Sequence, residues 1–346
     1  MKRKIKKSLF IAADSIFLFA IIAFVTGCGL KQAQFTAVGT AMGTVITQHI
    51  DTKGENITGN IMDIITSLEQ DCLSYRISES EVGNINAQAG SGNFIALSKE
   101  LNADLTTCFD VSVKSEGAFD ITVGPVTRLW NIDAWASGEN TEQKIPEPEQ
   151  ISNVLSQTGF DKIEYVNGNI LLPEGMSLDL GAVGKGIACD RIADYLDTKE
   201  VKGAVISVGG SILTYGEKAR GVPWTVGIVN PQNTVSSIGT VSVSGEWYVS
   251  TSGDYERYME VDGKRYHHII DPHTGYPTDS GLSSVTIVCK SGILSDALST
   301  ACFVLGEKEG MELADYYDVA VLFVNTEGKL VMNRAMETIF RQTKEN

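Results

Sequence analysis

The sequence predicts a single α+β domain with a mixed or antiparallel sheet and helices packed outside it. Runs rich in β-branched residues have the length of strands, and segments with helical periodicity precede, separate and follow them. The strand-like runs are Gly203–Val208, Trp224–Val229, Gly239–Val243, Leu282–Cys289 and Val319–Val324. The chain has no clear linker, and only Ala136–Gln150 is polar enough to indicate a surface excursion.

The N-terminus has the pattern of an export signal. Basic residues in MKRKIKK precede the apolar run Ile16–Val25, which is much shorter than the roughly 20 residues that a membrane-spanning helix needs. Small residues directly before Cys28 resemble a bacterial lipobox. We predict a lipoprotein signal peptide over residues 1–27 and one domain over residues 28–346, with Cys28 as the lipidated first residue. An ordinary signal peptide cut nearby and an uncleaved anchor are the alternatives.

Charge narrows the range of partners. Without residues 1–27 the chain keeps 23 basic and 42 acidic residues, a net charge of −19. Such a surface repels nucleic acid and anionic lipid head groups, so membrane association would depend on acyl chains at Cys28. The remaining cysteines stand singly in apolar runs, which indicates buried free thiols more than disulfides or a zinc site. These cysteines are Cys72, Cys108, Cys189, Cys289 and Cys302.

Two segments that precede the strand-like runs predict further elements of secondary structure. The first is an apolar face with helical spacing, which predicts a helix; it consists of Ile57, Ile61, Ile64, Ile65, Leu68 and Cys72. The second is GAFDITVGP at Gly117–Pro125, where a turn and a carboxylate lead into an alternating pattern. Taken alone, that stretch predicts the entry of a strand, and a functional role is the less favoured interpretation.

The stretch LDLGAVGKGIACD, Leu178–Asp190, suggests a phosphate loop but fails the two common patterns. A Walker loop needs a glycine five residues before Gly184 and a hydroxyl after Lys185, and both are missing. The order of the glycines also reverses the Rossmann spacing. In VGGSI, Val208–Ile212, paired glycines between strands indicate a bulge or a close approach of backbone to a ligand, and a bulge is the commoner explanation.

The segment YHHIIDPHTGYP, Tyr266–Pro277, combines histidines with turn signals. His267 and His268 are adjacent in a predicted strand and point to opposite faces, which argues against a metal site. One of them can face a pocket and act as a general base, while a histidine that stabilises the turn is the alternative.

The segment SGILSDALSTACF, Ser291–Phe303, predicts a helix capped by Ser291. Asp296 and Thr300 are four residues apart and therefore lie on one helical face. Their oxygens could bind a hard cation such as Mg²⁺, which takes one or two carboxylates and completes its shell with waters and substrate phosphates. The alternative, which these residues alone favour, is a hydrogen bond between the two side chains on a solvated face.

These motifs occur in an order and spacing that resembles the FAD:protein FMN transferases, the ApbE family of flavin-trafficking lipoproteins. The resemblance runs from about Thr40 to Gly306 and rests on MGT, SYR, GAFDITVGP, LDLGAVGKGIACD, the paired glycines, HIIDPHTGYP and SDALSTACFVLG. The lipobox-like Cys28 also fits. Two positions depart from the family pattern: Ser211 stands where the family often has Asn or Asp, and Gly184 where it often has Ala.

The resemblance implies transfer of the FMN half of FAD to a Ser or Thr hydroxyl of an acceptor protein, with release of AMP. It assigns Mg²⁺ to Asp296, Thr300 and the Ala182 carbonyl, and contacts with FAD to Lys185 and Asp179. The flavin and adenine would be lined by Met42, Tyr75, Ala118, Phe119, Asp120 and Ile270. His268 is the predicted base that deprotonates the acceptor hydroxyl, and His267 is the lesser candidate.

The same resemblance implies the partners and the location. Acceptors would be redox-pump subunits or FMN-binding domains that carry an S/T-G-A-T-like sequence. The protein would be exported and lipid-anchored at the outer face of the cytoplasmic membrane, which is the periplasmic side in a Gram-negative host. Two rival functions stay open: an Mg²⁺-dependent FAD pyrophosphatase that releases FMN and AMP, and a non-catalytic flavin-binding lipoprotein.

Overall fold

An eight-stranded sheet is the largest element in the computed structural model, which describes residues 33–138, 144–218 and 221–343. Its strand order is β1-β2-β6-β7-β10-β13-β14-β15, and neighbouring strands are antiparallel throughout. These strands are β1 (Ala33–Ala41), β2 (Thr44–Thr52), β6 (Val201–Val208), β7 (Ser211–Gly216), β10 (Trp247–Gly253), β13 (Leu282–Cys289), β14 (Ala320–Asn325) and β15 (Leu330–Met332). The predicted signal peptide and Cys28 lie outside the described residues.

Three smaller antiparallel sheets complete the strands of the described residues. They pair β3 (Ile95–Ala96) and β4 (Glu164–Val166) with β5 (Asn169–Leu171), β8 (Trp224–Asn230) and β16 (Phe340–Gln342) with β9 (Asn233–Val243), and β11 (Tyr258–Val261) with β12 (Lys264–His267).

The α-helices in the described ranges are mostly short, and two carry the candidate site. They are α1 (Thr58–Ser67), α2 (Glu81–Ala87), α3 (Lys99–Lys114), α4 (Gly124–Trp130), α5 (Ile132–Ala136), α6 (Pro148–Leu155), α7 (Gly184–Asp197), α8 (Gly292–Leu305), α9 (Glu307–Tyr316) and α10 (Arg334–Ile339). A π-helical turn, Leu68–Leu73, extends α1, and a 3₁₀ turn covers Phe160–Lys162.

The large sheet is covered on both faces. On one face, apolar side chains of α1, α3, α7 and α8 pack onto it, as Ile61, Leu105, Ile192 and Leu298 do, all without exposed surface. The other face packs against the sheet of β8, β9 and β16 and against α10. Strand β13 is buried along its whole length because it lies between these layers. This arrangement confirms the predicted α+β class.

Most predicted elements are confirmed, and two are wrong. The five strand-like runs fall on β6, β8, β9, β13 and β14, and the apolar face from Ile57 belongs to α1 and its π-helical turn. GAFDITVGP is not a strand: it forms turns that lead into α4, because Asp120 accepts the Thr122 N–H and Pro125 stands in the first turn of the helix. The paired glycines form no bulge, since Gly209 and Gly210 are the two-residue loop of the β6–β7 hairpin, with Gly209 at φ +59°.

The surface excursion predicted at Ala136–Gln150 is described only in part, since residues 139–143 lie outside the described residues. Its end is ordered into α6, which begins at Pro148. Among the described helices, none combines the length and the hydropathy needed to cross a bilayer.

Candidate functional site

The crossing of α7 and α8 positions the predicted carboxylate ligand. Asp296 on α8 is 4% exposed, and both of its oxygens accept hydrogen bonds: Oδ2 from the Gly186 N–H at 2.6 Å and Oδ1 from the Ser211 hydroxyl at 2.5 Å. The Gly186 N–H belongs to the first turn of α7, where helix geometry leaves donors without partners and favours negative charge. Asp296 is therefore held in one orientation beside the GAVGKG segment, although the two lie 110 residues apart in sequence.

The neighbours of Asp296 fit a hard cation. Ala182 lies two residues before the start of α7, and its carbonyl accepts no hydrogen bond from the described chain, since the Gly186 N–H that could reach back to it donates to Asp296. Thr300 is half-buried, and its hydroxyl lies 3.3 Å from that of Ser252; it does not bond Asp296, which sets aside the alternative of a surface side-chain pair.

The donor set also matches the chemistry of such a cation. One carboxylate, one hydroxyl and one unpaired carbonyl are hard oxygen donors, as Mg²⁺ requires. No cluster of three or more His, Cys, Asp or Glu that could hold a metal was found in the described ranges. The role of Asp296, Thr300 and the Ala182 carbonyl as metal ligands stays a prediction.

Two further charged residues, Lys185 and Glu256, lie near Asp296. The sequence analysis predicted a site role for Lys185 but not for Glu256. Lys185 occupies the first turn of α7, next to the Gly186 N–H. Glu256 follows β10, and its Oε1 lies close to Gly210, so that a Cβ on that glycine would come within 3.0 Å of it. The Glu256 side chain reaches solvent, yet loss of hydration raises the pKa of its carboxyl, which Lys185 and Arg257 partly offset.

The two adjacent histidines differ in what their rings can still do. His267 Nε2 lies 3.0 Å from the Thr278 carbonyl, which can only accept, so this nitrogen carries the proton. Its Nδ1 accepts the Ile269 N–H at 3.3 Å, and its ring packs edge-on against Phe303. Burial lowers the pKa of His267 to about 4. Both ring nitrogens are engaged, so His267 is a structural residue.

His268 keeps one ring nitrogen available. Its Nδ1 lies 3.2 Å from the Arg257 carbonyl and therefore carries the proton, which leaves a lone pair on Nε2; no hydrogen bond to Nε2 is formed within the described chain. Burial and the nearby cations Arg257 and Lys185 lower the pKa of His268 to about 3, against the opposing effect of Asp133. The imidazole is thus neutral at pH 7.

A network of charged residues connects His268 to Tyr75. Asp133 on α5 accepts from Arg257 at 2.7 Å and from Arg76 at 3.0 Å. The Arg76 guanidinium lies 4.6 Å above the centre of the Tyr75 ring. Burial, then the charge of Asp179, raises the pKa of Tyr75 to about 12. The network places the predicted flavin-contacting Tyr75 and the predicted base in one charged region.

Asp179 shapes the loop before α7. Its Oδ2 accepts the Thr127 hydroxyl at 2.8 Å and its Oδ1 accepts the Gly181 N–H at 2.9 Å, while its own N–H donates to the Ile121 carbonyl at 2.7 Å. These bonds tie the glycine stretch to α4. Both carboxylate oxygens of Asp179 are engaged in these internal hydrogen bonds. Its contact with FAD stays a prediction.

The side chains of the remaining predicted cofactor residues are buried or engaged in internal hydrogen bonds, and their cofactor role stays a prediction. Ala118 and Phe119 are each 2% exposed, and Asp120 accepts the Thr122 and Phe160 N–H groups at 2.8 and 3.0 Å. Ile270 is packed in the cluster around Trp130. In this conformation the side chains of these residues are committed to the core, so a contact with flavin or adenine would come from their main chain.

Met42 occupies the tight turn of the β1–β2 hairpin with φ +51°, a conformation that side chains rarely adopt. The turn is stabilised by a hydrogen bond of 2.8 Å from the Met42 N–H to Glu69 in the π-helical turn. Non-glycine residues at positive φ and π-helical turns both concentrate at functional sites. The placement agrees with the predicted binding role of Met42, which stays a prediction.

A cleft of about 440 Å³ opens beside Tyr75. It is lined by Tyr75, Arg76, Arg128, Asn86 and Ser177 among others, whereas Lys185, Asp296 and His268 lie outside its lining. Tyr75 and Arg76 line this cleft, and Asp133 links Arg76 to Arg257, whose carbonyl bonds His268. The guanidinium groups of the cleft suit a ligand that combines an aromatic ring with phosphates.

Several residues in this region were not predicted from the sequence. Ser211, Glu256, Asp133 and Arg257 act through contacts between distant segments, and no spacing in the sequence signals such contacts. Asp190 was part of the LDLGAVGKGIACD motif, but its partners on α8 could not be read from the motif.

Comparisons with known proteins show a family and relatives of the same fold. Residues 42–323 match the sequence profile of the ApbE family. A FAD:protein FMN transferase of Vibrio cholerae is 31% identical over 313 residues, which cover 88% of this chain and 91% of that protein. The structure resembles the ApbE protein of Thermotoga maritima, with a TM-score of 0.79 and 28% identity over 90% of this chain and 100% of that one. The apo form of the Pseudomonas stutzeri flavinyl transferase ApbE gives a TM-score of 0.77 and 29% identity, over 89% and 97% of the two chains.

Proposed function

This chain belongs to the ApbE family, and from that membership we propose that it transfers the FMN moiety of FAD to a hydroxyl group of an acceptor protein. The transfer of FMN from FAD to a protein is the activity named for its relatives. The observation that carries the proposal is the meeting, in one charged region, of a fixed carboxylate, a lysine at a helix N-terminus and a neutral histidine with a free Nε2.

We further propose that Mg²⁺ is held by Asp296, Thr300 and the Ala182 carbonyl. The unpaired carbonyl and the buried, oriented carboxylate support this assignment. When bound, Mg²⁺ would neutralise charge on the pyrophosphate of FAD, which is what phosphoryl transfer chiefly requires.

Residues of the chain itself would bind the phosphates and accept the proton. Lys185 and the N-terminus of α7 attract the phosphates by charge. His268 Nε2 takes the proton of the acceptor hydroxyl, whose oxygen forms a bond to the phosphorus nearest riboflavin. The bond from that phosphorus to the bridging oxygen breaks, and AMP leaves with that oxygen. Burial and the neighbouring cations make His268 a weak base, and a bound anionic pyrophosphate would raise its pKa by stabilising the protonated ring.

The acceptors and the location extend the proposal. We expect a Ser or Thr within an S/T-G-A-T-like sequence of a redox-pump subunit or FMN-binding domain to receive FMN. An enzyme that acts on such acceptors outside the cytoplasm would be exported, and a lipid at Cys28 would hold it at the outer face of the cytoplasmic membrane. The acidic composition supports an anchor of acyl chains instead of a basic patch.

The test uses a soluble protein that begins after Cys28. FAD, Mg²⁺ and an acceptor domain are incubated with it, and flavin fluorescence is measured on the acceptor after a denaturing gel. Covalent flavin on the acceptor, with AMP released, is the expected result, and an acceptor with its Ser or Thr replaced by Ala is the control. Free FMN and AMP without covalent flavin would indicate a pyrophosphatase, and intact FAD would indicate a binding protein.

A further inference from the structure

Helices α7 and α8 cap each other. Asp296 of α8 accepts the Gly186 N–H in the first turn of α7. In return, Asp190 of α7 accepts the first two N–H groups of α8, from Gly292 at 2.7 Å and from Ile293 at 2.8 Å. Each helix therefore supplies the carboxylate that satisfies unpaired donors at the start of the other.

The N-terminus of α8 is fully satisfied by this arrangement. Asp190 takes the N–H groups of Gly292 and Ile293, and the Ser291 hydroxyl accepts the Leu294 N–H at 3.3 Å. The next N–H, from Ser295, bonds the Ser291 carbonyl. Burial raises the pKa of Asp190 to about 6, so the carboxyl is mainly ionised at pH 7 and meets the positive end of the helix dipole.

The helices also touch backbone to backbone at two glycines. A Cβ on Gly186 would come within 2.1 Å of the Gly292 carbonyl oxygen, and a Cβ on Gly292 within 2.2 Å of the Gly186 carbonyl oxygen. The crossing thus has little freedom to slide, and the two carboxylates lie on either side of the contact. Asp190 holds the start of α8, and Asp296 lies further along the same helix, so both carboxylates belong to one tightly packed crossing.

We propose that Asp190 is a positioning residue for the cation site: by holding the start of α8 it fixes Asp296 and Thr300 opposite the Ala182 carbonyl. The inference rests on the proposed function only in taking these residues as cation ligands. Nothing in the transfer chemistry itself requires Asp190, which acts through α8 and not on FAD.

The test compares Asp190→Asn with Asp194→Asn. Asp194 lies one turn further along α7, is exposed and undergoes the same change of charge. Affinity for Mn²⁺ is measured by electron paramagnetic resonance of the free ion, and FAD affinity by fluorescence quenching in EDTA. We expect Asp190→Asn to weaken Mn²⁺ binding by about tenfold or more, as outer partners of metal ligands do, with FAD binding unchanged. Asp194→Asn should change neither affinity.

In Asp190→Asn the side chain keeps one acceptor oxygen, whereas in Asp190→Ala it keeps none. The loss of Mn²⁺ affinity should therefore be larger in Asp190→Ala. Unchanged Mn²⁺ binding in Asp190→Asn, or an equal loss of Mn²⁺ and FAD binding, would overturn the proposal. If the variants do not fold, hydrogen exchange on the wild type decides: Mn²⁺ should slow exchange of the Gly292 and Ile293 amides, and no slowing would contradict a coupling.

Failure of the cation proposal is a separate outcome. If the wild type binds no Mn²⁺, the ligand assignment is wrong, and the coupling is then tested by exchange alone. Asp190→Asn should accelerate exchange of the Gly186 amide, whose partner is Asp296 on the other helix. An unchanged Gly186 amide in that variant would overturn the positioning role as well.

Discussion

At the scale of single residues, the contrast between His267 and His268 depends on one hydrogen bond. Both rings donate to a backbone carbonyl, but only His267 also accepts a backbone N–H. The sequence placed the two histidines on opposite faces of a strand, and it could not say which one keeps a free nitrogen. The structure makes His268 the one that can take a proton.

The pKa values of these rings give a first prediction. Because burial lowers both values far below the ordinary 6.5, we expect neither His267 nor His268 to take up a proton as the pH falls from 8 to 5. Proton NMR of the imidazole signals, assigned with His267→Gln and His268→Gln, measures this directly. Addition of FAD should raise the pKa of His268 but not that of His267. A His268 signal that titrates near 6.5 in the free protein would contradict the buried, cation-flanked site.

The carboxylate of Asp296 gives the second prediction. Asp296→Asn should reduce the rate of FMN transfer at saturating Mg²⁺ by about 100-fold or more, because a charged, pre-oriented group at the reacting phosphates is lost. Asp194→Asn, an exposed carboxylate on α7, is the matched control and should keep the wild-type rate. Full activity of Asp296→Asn would remove this residue from the site.

A third prediction at the residue scale separates catalysis from binding. His268→Ala should lower the transfer rate by about 100-fold or more, as loss of a positioned base does, while FAD affinity stays close to the wild-type value. Stopped assays of labelled acceptor give the rate, and equilibrium fluorescence gives the affinity. Equal losses in both measurements would make His268 a binding residue.

At the scale of elements, the site depends on how closely α7 and α8 approach. Glycines at Gly186 and Gly292 allow the two backbones to touch, and this contact brings the Gly186 N–H onto Asp296. The motif GAVGKG therefore works by close packing of two helices and by the N-terminus of α7. The motif also lacks the first glycine and the hydroxyl of a Walker loop.

Two glycine substitutions test this interpretation. Gly186→Ala places a Cβ 2.1 Å from the Gly292 carbonyl oxygen and should lower the free energy of unfolding by about 1–3 kcal/mol or more. Gly184→Ala is the control, since its Cβ would meet only the Leu73 side chain at 3.6 Å. That change should alter stability by no more than about 1 kcal/mol. Urea denaturation of both variants measures the difference, and equal stability would show that the helices can separate without cost.

At the scale of the whole molecule, the acidic chain is predicted to reach its membrane only through a lipid. We expect a fatty-acid label on the wild type and none on Cys28→Ala, which should move from the membrane fraction to the soluble exported fraction. The purified protein that begins after Cys28 should transfer FMN at the wild-type rate, because the site is built from residues of the described domain. A label that persists in Cys28→Ala would refute lipidation at this residue.

Much of the fold was predictable because many helices and strands are specified by residues that are neighbours in sequence. The apolar face of α1, the strand-like runs and the Ser291 cap depend on neighbours in sequence, and all three are confirmed. GAFDITVGP was predicted wrongly as a strand because its apolar and polar residues alternate. In the folded chain the turn at Asp120 and the proline at the start of α4 direct this segment into a helix. Two local signals competed there, and the turn and helix-start signals prevailed over the alternating pattern.

The sequence by itself determined the fold class, the likeness to a family of flavin transferases and most of the residue types at the site, because these depend on periodicity and on motifs along the chain. Only the tertiary structure decided how they act together. It brings Asp296 onto Gly186 across 110 residues, pairs Asp190 with the start of α8 and leaves His268, not His267, with a free nitrogen. Those outcomes depend on distances of about 3 Å between distant segments, which hydrogen-bond geometry requires and sequence spacing does not record.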